Sequence, residues 1–157
     1  MRYALTALIA LVLAACSSSS QPEFTLSGAS VDPTYFCPGG ANNAPYDLHA
    51  TVRVHNSTGK AVTIESATAQ MTVASIKGVW LEKVGDRYEA ANARFTPITI
   101  APGGNTTLDL TIPSACTSGK YGTGTSSSAE YNVSIHLTTS AGSFAVTAGN
   151  QHEIVAD

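Results

Sequence analysis

The chain has 157 residues, with 8 basic and 11 acidic side chains and a net charge of −3. That balance excludes a basic nucleic-acid surface, and the length bounds one domain of ordinary size with room for a real core. Only 12% of residues are charged while Thr, Ser, Ala and Gly abound, a composition of exported β proteins rather than helical cytosolic ones.

The chain opens with Arg2, followed by an apolar run from Tyr3 to Ala15 without a formal charge. A positive start and a short apolar stretch make an export signal. At about 13 residues the run is short of the roughly 20 that a permanent membrane helix needs. Its end, Leu13-Ala14-Ala15-Cys16, resembles the bacterial lipoprotein lipobox. The resemblance implies a lipoprotein signal peptide over residues 1–15, cleavage before Cys16, and lipidation of Cys16 with thioether-linked lipid and N-acylation (the palmitate class of anchor). Ser17 stands where enteric lipoproteins retained in the inner membrane carry Asp, so the resemblance implies outer-membrane delivery in a Gram-negative cell. Residues 16–23 then read as the lipidated Cys and a Ser-rich tether that spaces rather than folds.

The folded domain is expected over residues 24–150, with a C-terminal tail at 151–157. Its signal is period-two alternation, the mark of half-buried strands. "FTLSGASV" places Phe24 and Leu26 inward and stops at Asp32-Pro33; "YFCPGGANNAPY" reads as a loop. "DLHATVRVHN" is the clearest strand, with Leu48, Ala50, Val52 and Val54 on one face and His49, Thr51, Arg53 and His55 on the other. "AVTIESATAQMTV" changes phase between Ile64 and Ala67, which marks a bulge or a corner. "GVWLEKV" reads as a short strand and "RFTPITI", interrupted by Pro97, as an edge. "TTLDLTI" points Leu108, Leu110 and Ile112 inward. Residues 114–129 form a long polar loop, and "EYNVSIHLTTSAGSFAVTAG" a closing hairpin with Tyr131, Val133, Ile135 and Leu137 inward.

About seven to nine short strands with Gly/Pro turns make an all-β, two-sheet antiparallel sandwich or a barrel. The run "ATVRVHNSTGKAVTI…FTPITIAPGGNTTLDLTI…AEYNVSIHLTTSAG" resembles bacterial immunoglobulin-like adhesion and spacer modules, which implies an immunoglobulin-like or fibronectin-type sandwich. Cys37 and Cys116 are the even pair left after Cys16; in an oxidising compartment they point to one disulfide. Neither lies mid-strand, so the bridge is expected to pin loops at one end.

No catalytic constellation stands out, and no cofactor or metal is expected. His49 and His55 are about 20 Å apart at strand rise, His136 faces outward on another strand, and His152 sits in the tail. Met71 fits the apolar phase. There is no Gly-x-Ser-x-Gly elbow, and a hydrolase would need Ser, His49 or His136, and Asp109 to converge. Glu82, Asp86 and Glu89 cluster near Trp80 and could serve glycosidic cleavage or simply a solvated hairpin. Trp80, out of phase with Val79 and Leu81, is either exposed or caps a sheet edge or fills the core; with Tyr88 and Tyr121 it is the candidate binding surface. The expectation is a lipid-anchored, non-catalytic envelope protein whose immunoglobulin-like binding or assembly module contacts another envelope or host macromolecule, with the membrane held through the anchor and a protein or glycan as the envelope partner. Alternatives are a carbohydrate-binding or metal-chaperone lipoprotein and a small envelope hydrolase.

Overall fold

The computed structural model describes residues 23–89, 92–118 and 127–156. The signal segment, Cys16, the tether up to residue 22, and Tyr121 lie outside the described residues. Among those described, ten strands form in chain order: β1 (Phe24–Val31), β2 (Thr34–Cys37), β3 (Ala44–Asn56), β4 (Val62–Lys77), β5 (Arg87–Glu89), β6 (Thr99–Ile100), β7 (Asn105–Cys116), β8 (Ser127–Thr139), β9 (Gly142–Thr147) and β10 (His152–Ala156). They build an immunoglobulin-like two-sheet sandwich. One sheet has the order β1-β3-β7; the other runs β2-β10-β8-β4-β5, with β6 also on β4 and β9 on β8. All pairings are antiparallel except β2 with β10.

Alternation writes this architecture. In β3, Tyr46, Leu48, Ala50, Val52 and Val54 are buried while Asp47, His49, Thr51 and Arg53 face outward. Leu108, Leu110 and Ile112 of β7 and Ala129, Tyr131, Val133, Ile135 and Leu137 of β8 supply the same inner layer. The phase change in β4 is a bulge between Ile64 and Ser66, so one strand keeps Val62, Ile64, Ala67, Ala69, Met71 and Val73 all inward. A bulge between Leu26 and Gly28 does the same for β1, burying both Phe24 and Val31.

The structure corrects several expectations, and the 114–129 stretch read as a loop gives its first three residues to β7 and its last three to β8. Residues 79–86 hold no strand; the chain there is a loop between β4 and β5. The stretch 35–46, read as a loop, contains β2 and the start of β3. The C-terminal segment is not a tail: His152–Ala156 pairs with Tyr131–Ser127 of β8 on one side and with β2 on the other. Buried Ile154 and Ala156 explain why it docks.

Register defines two ends. Phe24 pairs with Asn56 at the end where the chain enters, and Ala44 pairs with Cys116 at the other. The length of β3 separates the ends by about 40 Å at strand rise. At the far end Cys37 of β2 and Cys116 of β7 are disulfide-bonded, Cα–Cα 6.0 Å, at a sequence separation of 79. The bridge does sit at one end, but it ties strand termini of opposite sheets rather than loops. At the entry end, Asn56 is fully buried and organises the turns. Its Nδ2 donates to the carbonyls of Lys60 (2.8 Å) and Ile100 (2.9 Å), and its Oδ1 accepts from the Thr58 amide (3.0 Å).

Both flanks of the sandwich are laced. On one, Asn150 acts as a strand partner for Val31, accepting from its amide (3.0 Å) and donating to its carbonyl (2.8 Å). On the other, the Ala93 amide donates to Ala67 of β4 (2.9 Å), and the next residue, Arg94, exchanges backbone bonds with Thr111 of β7 (2.8 and 2.9 Å). Toward the far end from this staple, β7 and the 79–86 loop line a groove.

Candidate binding groove

The groove begins where β4 ends. Gly78 has φ 75°, a left-handed turn that glycine makes without strain. The loop then folds back. The Lys83 amide donates to the Asp86 carboxylate (2.8 Å) and the Asp86 amide to the Lys83 carbonyl (2.9 Å), a local turn that delivers β5 to Gln70–Thr72. Within the loop, Val79, Leu81 and Val84 are 52%, 57% and 63% exposed, and Trp80 is partly buried against the core. Alternation between Trp80 and its neighbours therefore exists, and of its two readings Trp80 takes the inward one: the indole turns in and the aliphatic side chains turn out.

Glu82 is the centre of the site. Its Oε2 accepts from the Trp80 indole N–H (2.6 Å) and the Tyr131 hydroxyl (2.8 Å). The same indole N–H also reaches the Tyr131 oxygen (2.9 Å). Tyr131 is in the core, and Tyr88 of β5 stands edge-on to it, ring centroids 5.8 Å apart at 78°. Burial, and then the Glu82 charge, push the Tyr131 phenol well above its ordinary value; burial does the same for Tyr88. Both hydroxyls therefore stay protonated, and Tyr131 remains a donor that fixes the carboxylate. Among the described residues, no group bonds Glu82 Oε1.

Trp80, Glu82, Tyr88 and the backbone around Ala115 and Cys116 line a cavity of about 120 Å³. It opens onto a trough of about 600 Å³ bounded by Asp86, Arg87, Glu89 and Pro113–Ala115. Trp80 and Tyr88 thus share one site, while Tyr121 lies outside the described residues. The three carboxylates singled out in the sequence also meet here: Asp86 is committed to its turn and Glu89 to the Gln70 side-chain amide (3.1 Å), while Glu82 is held through Oε2 alone.

The histidines separate as expected, with one exception. His49 and His55 occupy the outer face of β3, and His136 faces outward on the opposite sheet. The carboxylate beside His49 is Asp32 (Nδ1 to Oδ2, 2.9 Å), not Asp109. Among the described residues, no three His, Cys, Asp or Glu side chains gather as a metal site. The exception is His152, 1% exposed, placed by sequence in a tail. Its Nδ1 donates to the Asp32 carbonyl (2.7 Å), which leaves Nε2 to accept from the Tyr46 hydroxyl (2.9 Å). Tyr46 in turn stacks on Tyr35 at 3.9 Å, and burial pushes its phenol up to about 12. The network joins the two sheets, and its partners are over 100 residues apart in sequence.

No protein-family model matches the chain, and no curated protein matches it. Among solved structures it is similar to a protein from Archaeoglobus fulgidus, at 11% identity over 85% of this chain and 98% of that one, TM-score 0.43. It is also similar to AggA, the major subunit of aggregative adherence fimbriae type I from Escherichia coli, at 10% identity over 88% and 98%, TM-score 0.39. The CooA pilin subunit from enterotoxigenic Escherichia coli matches at 15% identity over 83% and 99%, TM-score 0.36. Likeness at this level carries no functional inference.

Proposed function

We propose that the protein is a lipid-anchored component of a bacterial envelope whose sandwich binds a protein partner without catalysing a reaction. The observation that carries this reading is position. The described chain enters at Glu23, and the groove of Trp80, Glu82 and Tyr88 lies at the opposite end of the sandwich. A lipidated Cys16 would hold the entry end to a membrane, and two or more acyl chains make such attachment stable. The Ser-rich tether would let the domain turn, with its groove directed outward. In a Gram-negative cell Ser17 favours the outer membrane.

The test uses the full chain expressed in a bacterial host and extracted from membranes in detergent. The mass should show residues 1–15 removed and acyl mass on Cys16; an unmodified full-length chain would overturn the anchoring. Cross-linking before extraction should capture a partner with the parent protein and with His136→Ala, which alters a remote outward face, but not with Tyr88→Ala of verified fold. Capture indifferent to Tyr88→Ala would overturn the groove as the binding face.

A further inference from the structure

Taking the groove as the face that meets a protein partner, we propose that it selects the cationic end of a lysine or arginine side chain, seated between Trp80 and Tyr88 with Glu82 as its counter-charge. Three features of the site converge on this chemistry. The first is the carboxylate. Two donors hold Glu82 through Oε2, and its Oε1 has no bond among the described residues. A carboxylate fixed in this way loses little freedom on accepting a charged donor, and bonds between ionised groups are the strong ones. The second is the walls. Trp80 and Tyr88 are both partly buried and both line the cavity, and a cation beside an aromatic face is drawn to the ring's negative quadrupole. The third is the wider field. Among the described residues, the trough is bounded by Glu82, Asp86 and Glu89 against Arg87, a balance that favours an approaching cation.

Size and backbone narrow the choice to the tip of a side chain on an extended segment. The cavity of about 120 Å³ is smaller than the roughly 150 Å³ that holds a benzene ring, so its depth suits an ammonium or guanidinium end, with the rest of the guest in the adjoining trough. Beside it runs the outer edge of β7. Thr111 turns its N–H and C=O outward to Arg94. By the period of two along a strand, Pro113 and Ala115 face the same way. Pro113 has no N–H to offer, which interrupts pairing along this edge. Ala115 offers one N–H and one C=O at the mouth of the cavity, enough to orient a guest backbone without building a long new strand.

Trp80 is the chain's single tryptophan, so its emission reports the site directly. The full detergent-extracted protein is titrated with Nα-acetyl-arginine amide and Nα-acetyl-lysine amide, with the neutral Nα-acetyl-norleucine amide and choline alongside. Calorimetry provides a second readout, because changing Glu82 also changes the indole's own hydrogen bond. The expected result is saturable binding of one or both basic amides in the millimolar range, weakened by salt, with no saturable response to norleucine amide. Glu82→Gln, with melting checked to confirm folding, should weaken binding at least tenfold. Equal binding of norleucine amide, unchanged affinity in the folded Glu82→Gln protein, or choline binding tighter than both amides would each overturn the proposal, the last by marking a small-molecule site. Groove-dependent partner capture without any response to basic amides would sink this inference and leave the partner-binding function standing. Amide binding without capture would do the reverse.

Discussion

Replacing both Cys37 and Cys116 by alanine removes the tie between the sheets at the groove end. The bridge closes a loop of 79 residues, and the chain-entropy relation gives about 4.5 kcal/mol at 25 °C for a loop of that length. The effect acts on the unfolded chain, which the bridge keeps compact. Both cysteines are also buried, so the double replacement adds a small packing loss of the same sign. Urea unfolding of the oxidised parent and the double variant, followed by far-ultraviolet circular dichroism and by Trp80 emission, should show stability lower by about 4–5 kcal/mol. The denaturant slope should be steeper in the variant, because its unfolded state exposes more surface. Changing both residues together avoids leaving a reactive free thiol. A loss under about 1 kcal/mol, with the slope unchanged, would refute the loop-closure reasoning. It would mean that strand pairing alone holds β2 and β7 at that end.

Three further outcomes follow from single sites. Burial lowers the proton affinity of His152 below the ordinary value of 6.5, against a smaller opposing effect of Asp32. The unfolded chain then binds the proton first, so the His152 contribution is complete above pH 6.5 and is lost as pH falls below it, with a slope of at most about 1.4 kcal/mol per pH unit. Urea midpoints measured from pH 8 to 5 should show this decline, and His152→Ala should be less stable at pH 8 with a shallower decline. Asn56→Ala should cost about 2–4 kcal/mol by leaving the Lys60 and Ile100 carbonyls and the Thr58 amide without their partner. Asn56→Asp should be no better, since it turns an acceptor toward both carbonyls; thermal melts check both. Gly78→Ala forces a Cβ into the left-handed region, 2.8 Å from Ser127 Oγ and 3.3 Å from its Cα, and should cost about 1–3 kcal/mol. Because Gly78 starts the groove loop, Trp80 emission should shift in the folded variant.

Much of the sandwich was legible because strand alternation is a local signal. The faces of β3, β7 and β8, the phase change in β4, the hairpin of β8 and β9, and the core position of Met71 can each be read from a dozen neighbouring residues. Elements that depend on remote partners were not legible. "TYFC" and "HEIVA" are short and carry weak patterns; they become strands because they pair with each other across most of the chain length. Trp80 shows why a site is harder to read than a core. Its alternation with Val79 and Leu81 is visible in sequence, but which side faces inward depends on the direction in which the loop leaves Gly78. It also depends on Glu82 and on Tyr131, which lies 51 residues away.

By itself the sequence determined the all-β class, most of the inner layer and the pair of cysteines available to cross-link it, because apolar period and residue type are properties of short stretches. Only the tertiary structure decided that Trp80 turns inward to Glu82 and Tyr131, that Tyr88 comes to stand beside them, that His152 is buried between two sheets, and that the groove lies at the end away from Glu23. Each of these depends on strand order and register, which bring together groups far apart in the chain; no local pattern encodes which distant backbone a residue will meet.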